Sequence, residues 1–228
     1  MNVKTQRLDT IRTRIASACA AAGRDPEEVR LLAVSKKQPA GLVRDFFELG
    51  QVAFGENKLQ EALAKQPELE DVPIEWHFIG PVQSNKTRDM AANFDWVQSA
   101  DRPKILRRLS AQRPDGMNPL NVCIQVNVDR EPQKAGVAPE QLGELVALAE
   151  ELPGIRLRGL MAIPRLTRDE TEARASFRDM KRLYDELRRS GHRLDTLSMG
   201  MSADLELAIE EGSTMVRVGT DLLGPRPA

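Results

Sequence analysis

Apolar positions along this chain fall into two alternating rhythms. Residues 29–36 (VRLLAVSK) form a short apolar run that turns polar at its end, and beyond Pro39 the residues Leu42, Val43, Phe46, Phe47 and Leu49 follow at helical spacing. That pattern predicts a strand and then a helix. The same alternation predicts further strands over 52–56, 75–80, 95–99, 122–128, 157–163, 196–201 and 215–220, with helices over 59–63, 84–93, 103–109, 141–152, 173–189 and 205–211 between them. With one more helix at the N-terminus, the count is roughly eight strands and seven crossover helices, an α/β pattern that requires parallel strands. An open doubly wound sheet and a closed (β/α)8 TIM barrel both use it. Eight strands in a chain of 228 residues favour the barrel, whose usual length is about 200 to 250 residues. No Pro/Gly/Ser tract divides the chain, segments 114–119 and 132–139 read as turns, and 221–228 is too short for another unit. Residues 1–228 are therefore expected to form a single domain.

Composition narrows the function without choosing it. Lys and Arg number 33 against 34 Asp and Glu, a net charge of −1, which argues against a nucleic-acid binder. With 41% hydrophobic and 29% charged residues the chain reads as an ordinary globular protein. Cys19 and Cys123 are far apart and belong to no metal-binding cluster, so a reducing, cytoplasmic setting is expected. The N-terminal segment mixes charges into its apolar positions, so neither a targeting segment nor a membrane partner is expected.

In a parallel barrel the chemistry lies where the strands end, so the residues to inspect are those where each apolar run turns polar. By period-two alternation Lys36 shares a face with Leu32 and Val34, which in a barrel is the inner face. There a lysine either loses affinity for its proton and becomes a Schiff-base nucleophile, or snorkels outward beside Lys37. Arg217 shares a face with Met215 and Gly219 and is either a buried cation needing an acceptor or an outward residue paired with a helix carboxylate. Ser202 stands where the cap of a helix starting at Ala203 would be, and Gly219-Thr220 closes the last strand. Both positions suit a phosphate at the loops after strands seven and eight, and both equally suit a plain cap and a plain turn. The segment 80–87 (GPVQSNKT) mimics a P-loop but has Asn85 in place of the second glycine, which weakens a nucleotide reading. His77 and His192 are too few and too separated for a metal site, and the arginine-rich stretches 102–113 and 174–193 read as solvated helix faces.

The segments AVSKKQP, FGEN followed by LQE, WHFIGPVQSNK, GLMAIP and LSMGMSADLELAIEEGSTMVRVGT occur in that order. Together they resemble the pyridoxal phosphate homeostasis protein family, single-domain proteins related to the barrel domain of alanine racemases, over residues 31–224. The resemblance implies a TIM barrel like the alanine racemase N-terminal domain, with a fold-type III site for pyridoxal 5′-phosphate (PLP). It implies that Lys36 carries the cofactor as a Schiff base, and that Arg217 faces the pyridine nitrogen. It further puts the phosphate near Ser202, Gly219 and Thr220, with Asn57, His77, Met161 and Ser198 lining the ring or its surroundings. The near-P-loop segment is then a family hallmark with no nucleotide role. Two departures stand out: Lys58 where many relatives carry an aromatic residue, and the terminal GTDLLGPRPA in place of an apolar-aromatic run.

Two functions follow from such a site: a carrier acting in PLP homeostasis and delivery to apo PLP-dependent enzymes, or an amino-acid racemase. A racemase needs a second base opposite the cofactor lysine, and in the related racemases a tyrosine from a separate C-terminal domain supplies it. The only tyrosine here, Tyr184, shares the helical stripe of Phe177, Met180, Leu183 and Leu187, whose spacing marks a packed face. An arginine at the pyridine nitrogen opposes ring protonation and weakens the electron sink. The carrier is therefore expected, as a monomer without efficient catalysis, and Lys134 in the loop after strand five is either a secondary cofactor-accepting amine or a solvated lysine.

Overall fold

The computed structural model describes residues 2–165, 167 and 169–225. Eight parallel strands close into a barrel in sequence order: β1 Arg30–Val34, β2 Ala53–Glu56, β3 Glu75–Phe78, β4 Trp96–Ala100, β5 Leu120–Gln125, β6 Ile155–Met161, β7 Thr196–Met201 and β8 Met215–Val218. Closure comes from β1 pairing with β8 in the register Leu32 to Arg217 and Ala33 to Val218. Around the strands run α1 Val3–Ala21, α2 Ala40–Glu48, α3 Leu59–Lys65, α4 Thr87–Asn93, α5 Pro103–Ala111, α6 Leu142–Glu151, α7 Glu170–Arg189, α8 Leu205–Glu210 and α9 Thr220–Leu223.

The two-residue period of each strand divides the side chains into two cores. Outward residues such as Ala33, Phe54, Val97, Val122 and Leu197 pack against the apolar stripes of the helices in one continuous core. Helix α7 shows how such a stripe is fixed. Asp169 accepts from the amides of Thr171 and Glu172 at its start, Arg188 and Arg189 stand in its last turn, and Phe177, Met180 and Tyr184 are buried between. Burial of side chains like Phe177 stabilises by about 1.5 to 3 kcal/mol each. Inward residues form two small apolar clusters, Leu32 with Ala53, Met215 and Ile79, and Trp96 with Cys123 and Met161. Polar side chains occupy the space between these clusters.

Three sequence expectations change. Strand β1 stops at Val34, because after the Ser35 amide bonds the Gly55 carbonyl the chain turns, with Gln38 N–H donating to Ser35 O and Lys37 at φ 61°. Lys36 thus sits in a turn above the strand. Ser202 is not a helix cap: α8 begins at Leu205, and Asp204 at the cap position accepts from the Met201 amide at 2.6 Å, closing a turn that keeps Ser202 and Ala203 out of the helix. Beyond β8 the chain forms the short helix α9. Among the described residues no helix is long and apolar enough to cross a membrane, and no cluster of metal-ligating side chains occurs.

Candidate functional site

The mouth of the barrel, where all eight strands end, is built around the turn after β1. Ser35 is tied on every side: its hydroxyl donates to Glu56 Oε1 at 2.7 Å, and its carbonyl accepts from Lys65 Nζ at 2.8 Å. Lys65 also pairs with Glu56, and both side chains are nearly or fully buried, at 7% and 0% exposure. This clamp braces the residue next to Lys36, which is half-buried. The second carboxylate oxygen, Glu56 Oε2, is buried without a hydrogen-bond partner among the described residues. On the other side of the turn, a side chain at Gly219 would meet only Val34, at ordinary contact distance, next to the pairing of Ala33 with Val218.

Below the mouth a polar seam crosses the barrel interior. Arg217, buried at 4% exposure, donates through one terminal nitrogen to Ser198 Oγ and through the other to the Ala162 carbonyl, both at 2.8 Å. Ser198 donates to Gln98 Oε1 at 2.7 Å, leaving the Gln98 amide nitrogen to donate to His77 Nδ1 at 2.8 Å. His77 Nε2 lies 2.6 Å from Glu75 Oε1, and Arg30 donates to the same oxygen at 2.7 Å. With Nδ1 as acceptor, the imidazole proton is on Nε2 and is donated to Glu75. Every donor from Arg217 to His77 therefore points the same way, from a buried cation to an anion at the far end of the barrel.

The titration behaviour agrees with this direction. Burial pushes the His77 imidazole down against the pull of Glu75, so the ring is neutral at physiological pH. Burial alone would push the Glu75 carboxyl up, but His77 and Arg30 outweigh it and hold the group well below the usual carboxylate range. Burial lowers Arg217 to about 10 against the opposing charge of Asp204, which leaves it protonated. Stacking on Trp96, with ring centres 5.0 Å apart, fixes the plane of His77.

The predicted site residues thus separate into two levels. Lys36, Asn57, Ser202, Gly219 and Thr220 follow or end strands at the mouth, with Thr220 exposed and Asn57 half-buried. Arg217, Ser198 and Met161 lie beneath them, and His77 is deeper still, joined to Arg217 only through Gln98 and Ser198. Lys134 pairs with Glu131 and lies 3.5 Å from the Ile163 carbonyl, beside the loop after β6. The Tyr184 hydroxyl donates to the Leu194 carbonyl at 3.0 Å on the outside of the barrel, remote from the mouth. In the near-P-loop segment, the hydroxyl of Thr87 lies 3.0 Å from the Ser84 carbonyl and 2.7 Å from Gln112, and accepts from Arg108. It is engaged within the fold where a P-loop would present it to a metal.

Sequence reasoning missed Gln98, Glu56 and Lys65. Two of them left a signal: Gln98 interrupts the apolar strand WVQSA, and Lys65 continues the buried stripe of Leu59 and Ala62 on α3.

The family described as alanine racemase, N-terminal domain, matches residues 6–227. The chain is 54% identical over 226 residues to a pyridoxal phosphate homeostasis protein of Pseudomonas aeruginosa, covering 99% of this chain and 97% of that one. To the protein of the same name in Escherichia coli K12 it is 44% identical over 229 residues, covering 99% and 98%. Among solved structures, PipY of Synechococcus elongatus PCC7942 without PLP is similar at TM-score 0.87 and 38% identity, over 96% of this chain and 99% of that one. PipY with PLP bound is similar at TM-score 0.79 and 39% identity, over 92% and 100%. An alanine racemase of Clostridium difficile 630, 16% identical at TM-score 0.77 over 100% of this chain and 58% of that one, shares the fold.

Proposed function

Because the chain belongs to the alanine racemase N-terminal domain family, and within it to the pyridoxal phosphate homeostasis proteins, we propose that residues 1–228 form one cytoplasmic, monomeric PLP carrier. It holds the cofactor on Lys36 and passes it to apo-enzymes. The observation that carries this reading is a buried, protonated Arg217 anchored by neutral acceptors beneath a mouth whose rim bears Lys36.

The donor set fits the cofactor. When bound, PLP supplies an aldehyde that a lysine amine captures as a Schiff base, and a pyridine ring that withdraws electrons. Lys36 provides that amine from a turn immobilised by Ser35, Glu56 and Lys65. Ser202, Gly219 and Thr220 would hold the phosphate with hydroxyl and backbone donors, while Asn57 and Met161 would border the ring. Arg217 would face the ring nitrogen as a donor, and a guanidinium that keeps its own proton would leave that nitrogen without one and the ring a weaker electron sink. Ser198 and His77 act beneath it by orienting Arg217. Retention and release of a reactive aldehyde need no more than this, whereas racemisation needs an opposing base. Tyr184, fixed on Leu194, does not supply one.

The test is direct. The purified protein mixed with PLP should develop a yellow absorption band, and borohydride reduction followed by mass analysis should place the adduct on the peptide containing Lys36. An adduct confined to other lysines, or no band at all, would refute the reading.

A further inference from the structure

We propose that Arg14, on the helix that precedes the barrel repeats, is the positioning residue of the phosphate-binding loops. This inference rests on the reading that the loops after β7 and β8 hold a phosphate. Arg14 reaches both loops from outside. Its guanidinium grips Glu206 of α8 with two bonds, at 2.6 and 2.9 Å. It donates to the Ser202 carbonyl at 2.8 Å and to Asp221 of α9 at 3.3 Å. One side chain thus joins the turn 201–204, the first turn of α8 and the first turn of α9.

The placement follows from the sequence of α1. Leu8, Ile11 and Ile15 are buried in the shared core, which fixes the rotation of the helix and presents Arg14, three residues after Ile11, to the loops. Arg7 of the same helix lies against Gly224, and Gln38 donates to the Gly224 carbonyl at 3.2 Å, so the segment after β8 is held from two sides.

Two physical effects connect this clamp to an anion. In a trans peptide the carbonyl and the following N–H point in opposite directions. Drawing the Ser202 carbonyl toward α1 therefore turns the Ala203 N–H away from α1. The second effect is charge. Glu206 and Asp221 would repel a dianion in the adjacent loops, and pairing with Arg14 offsets both carboxylates. The hydrogen bonds from Arg14 hold Glu206 below the usual carboxylate range despite its partial burial, so it is ionised and in need of that partner at any pH where a phosphate is a dianion.

The experiment compares affinities for PLP and for pyridoxal, which differ only by the phosphate, in the wild type, Arg14→Ala and Arg14→Lys. The wild type should prefer PLP strongly. Arg14→Ala should lower that preference by roughly 3- to 30-fold, leaving pyridoxal affinity within about twofold. Arg14→Lys, which keeps the charge but not the fork, should fall between. Adding Glu206→Gln and Asp221→Asn to Arg14→Ala should recover part of the loss by removing the exposed charges. An unchanged PLP-to-pyridoxal ratio in Arg14→Ala would overturn the role of Arg14 while leaving the phosphate reading intact. Equal affinity of the wild type for the two compounds would overturn the phosphate reading itself. Should Arg14→Ala unfold, the same ratio in Arg14→Lys decides: a wild-type value overturns the proposal, and a reduced one supports it.

Discussion

Replacing His77 by glutamine tests the direction of the polar seam through stability and pH, without any ligand. His77 accepts from Gln98 and donates to Glu75, an arrangement open only to the neutral ring, and burial lowers its proton affinity. The unfolded chain has no such restriction and its imidazole takes up a proton near the ordinary value of about 6.5. A group that binds its proton less tightly in the folded state makes stability fall as pH drops through the unfolded value. At a pH about one unit below that value, the linkage can reach at most RT ln(1 + 10), or about 1.4 kcal/mol, the limit for a ring that takes up no proton in the folded state. Glu75 is also held low, but its linkage appears only as pH falls below the ordinary carboxylate value of about 4.3, so the two windows separate. Urea unfolding of the cofactor-free protein at about pH 7.5, 6.5 and 5.5 should show wild type losing more than His77→Gln over that interval, by up to about 1.4 kcal/mol. The second histidine, His192, is common to both proteins and cancels. Stability curves that keep a constant separation across the interval would refute the neutral, oriented seam.

The remaining predictions concern single contacts. Lys65→Met leaves the buried Glu56 carboxylate without its cation and should cost about 3 to 5 kcal/mol in urea unfolding of the cofactor-free protein. Tyr184→Phe strands the Leu194 carbonyl and should cost about 1 to 3 kcal/mol, and α-proton exchange of L-alanine assayed with loaded protein should be the same as in the wild type. Fast exchange in the wild type that vanished in this variant would show that the tyrosine was wrongly excluded. Gly219→Val, a position where a Cβ meets Val34 only at ordinary contact distance, should weaken PLP more than pyridoxal by placing bulk beside the proposed backbone donors, whereas Lys58→Ala, which removes only an exposed contact to Glu61, should change neither by more than about twofold. In Lys134→Ala, slower transfer of cofactor to an apo-enzyme would mark this lysine as a second acceptor, and unchanged transfer would leave it as the partner of Glu131.

What the sequence reveals and what it hides divide by the range of the interactions. Strand and helix periods are local, which is why 196–201 and 215–220 fall on β7 and β8 with errors of a residue or two at the ends. The end of β1 is hidden from a local reading because alternation continues through Ser35 and Lys36, while the turn is set by a bond from Gln38 back to Ser35 and by the conformation of Lys37. Ser202 looked like a cap because Ser is a good one, yet Asp204 takes that position and bonds the Met201 amide instead. The seam and the Arg14 clamp join residues about one hundred and two hundred positions apart. A polar residue inside an apolar strand, as with Gln98, announces that a partner must exist, but only the closed barrel says which one.

The way Arg217 is stabilised bears on what it can do. A buried guanidinium is costly unless compensated, and the common solution is a carboxylate bonded across its fork. Here Ser198 and Ala162 accept instead, and both are neutral. Compensation arrives through aligned dipoles: the Ser198 hydroxyl and the Gln98 amide turn their oxygens toward the cation and pass their donors on to His77 and finally to Glu75. A carboxylate at Ser198 would bring the opposite charge close, satisfy the fork and draw the guanidinium down into the barrel. Neutral acceptors at two of its nitrogens fix the plane of the group while leaving its positive charge to act on the mouth above. Ser198→Asp should therefore weaken PLP binding by about tenfold or more, since a neutral ring nitrogen competes poorly with a carboxylate for the same donors, and it brings the cofactor-free protein no gain in stability, because a carboxylate has no proton to give Gln98 Oε1. Undiminished PLP affinity in that variant would mean that Arg217 does not address the ring.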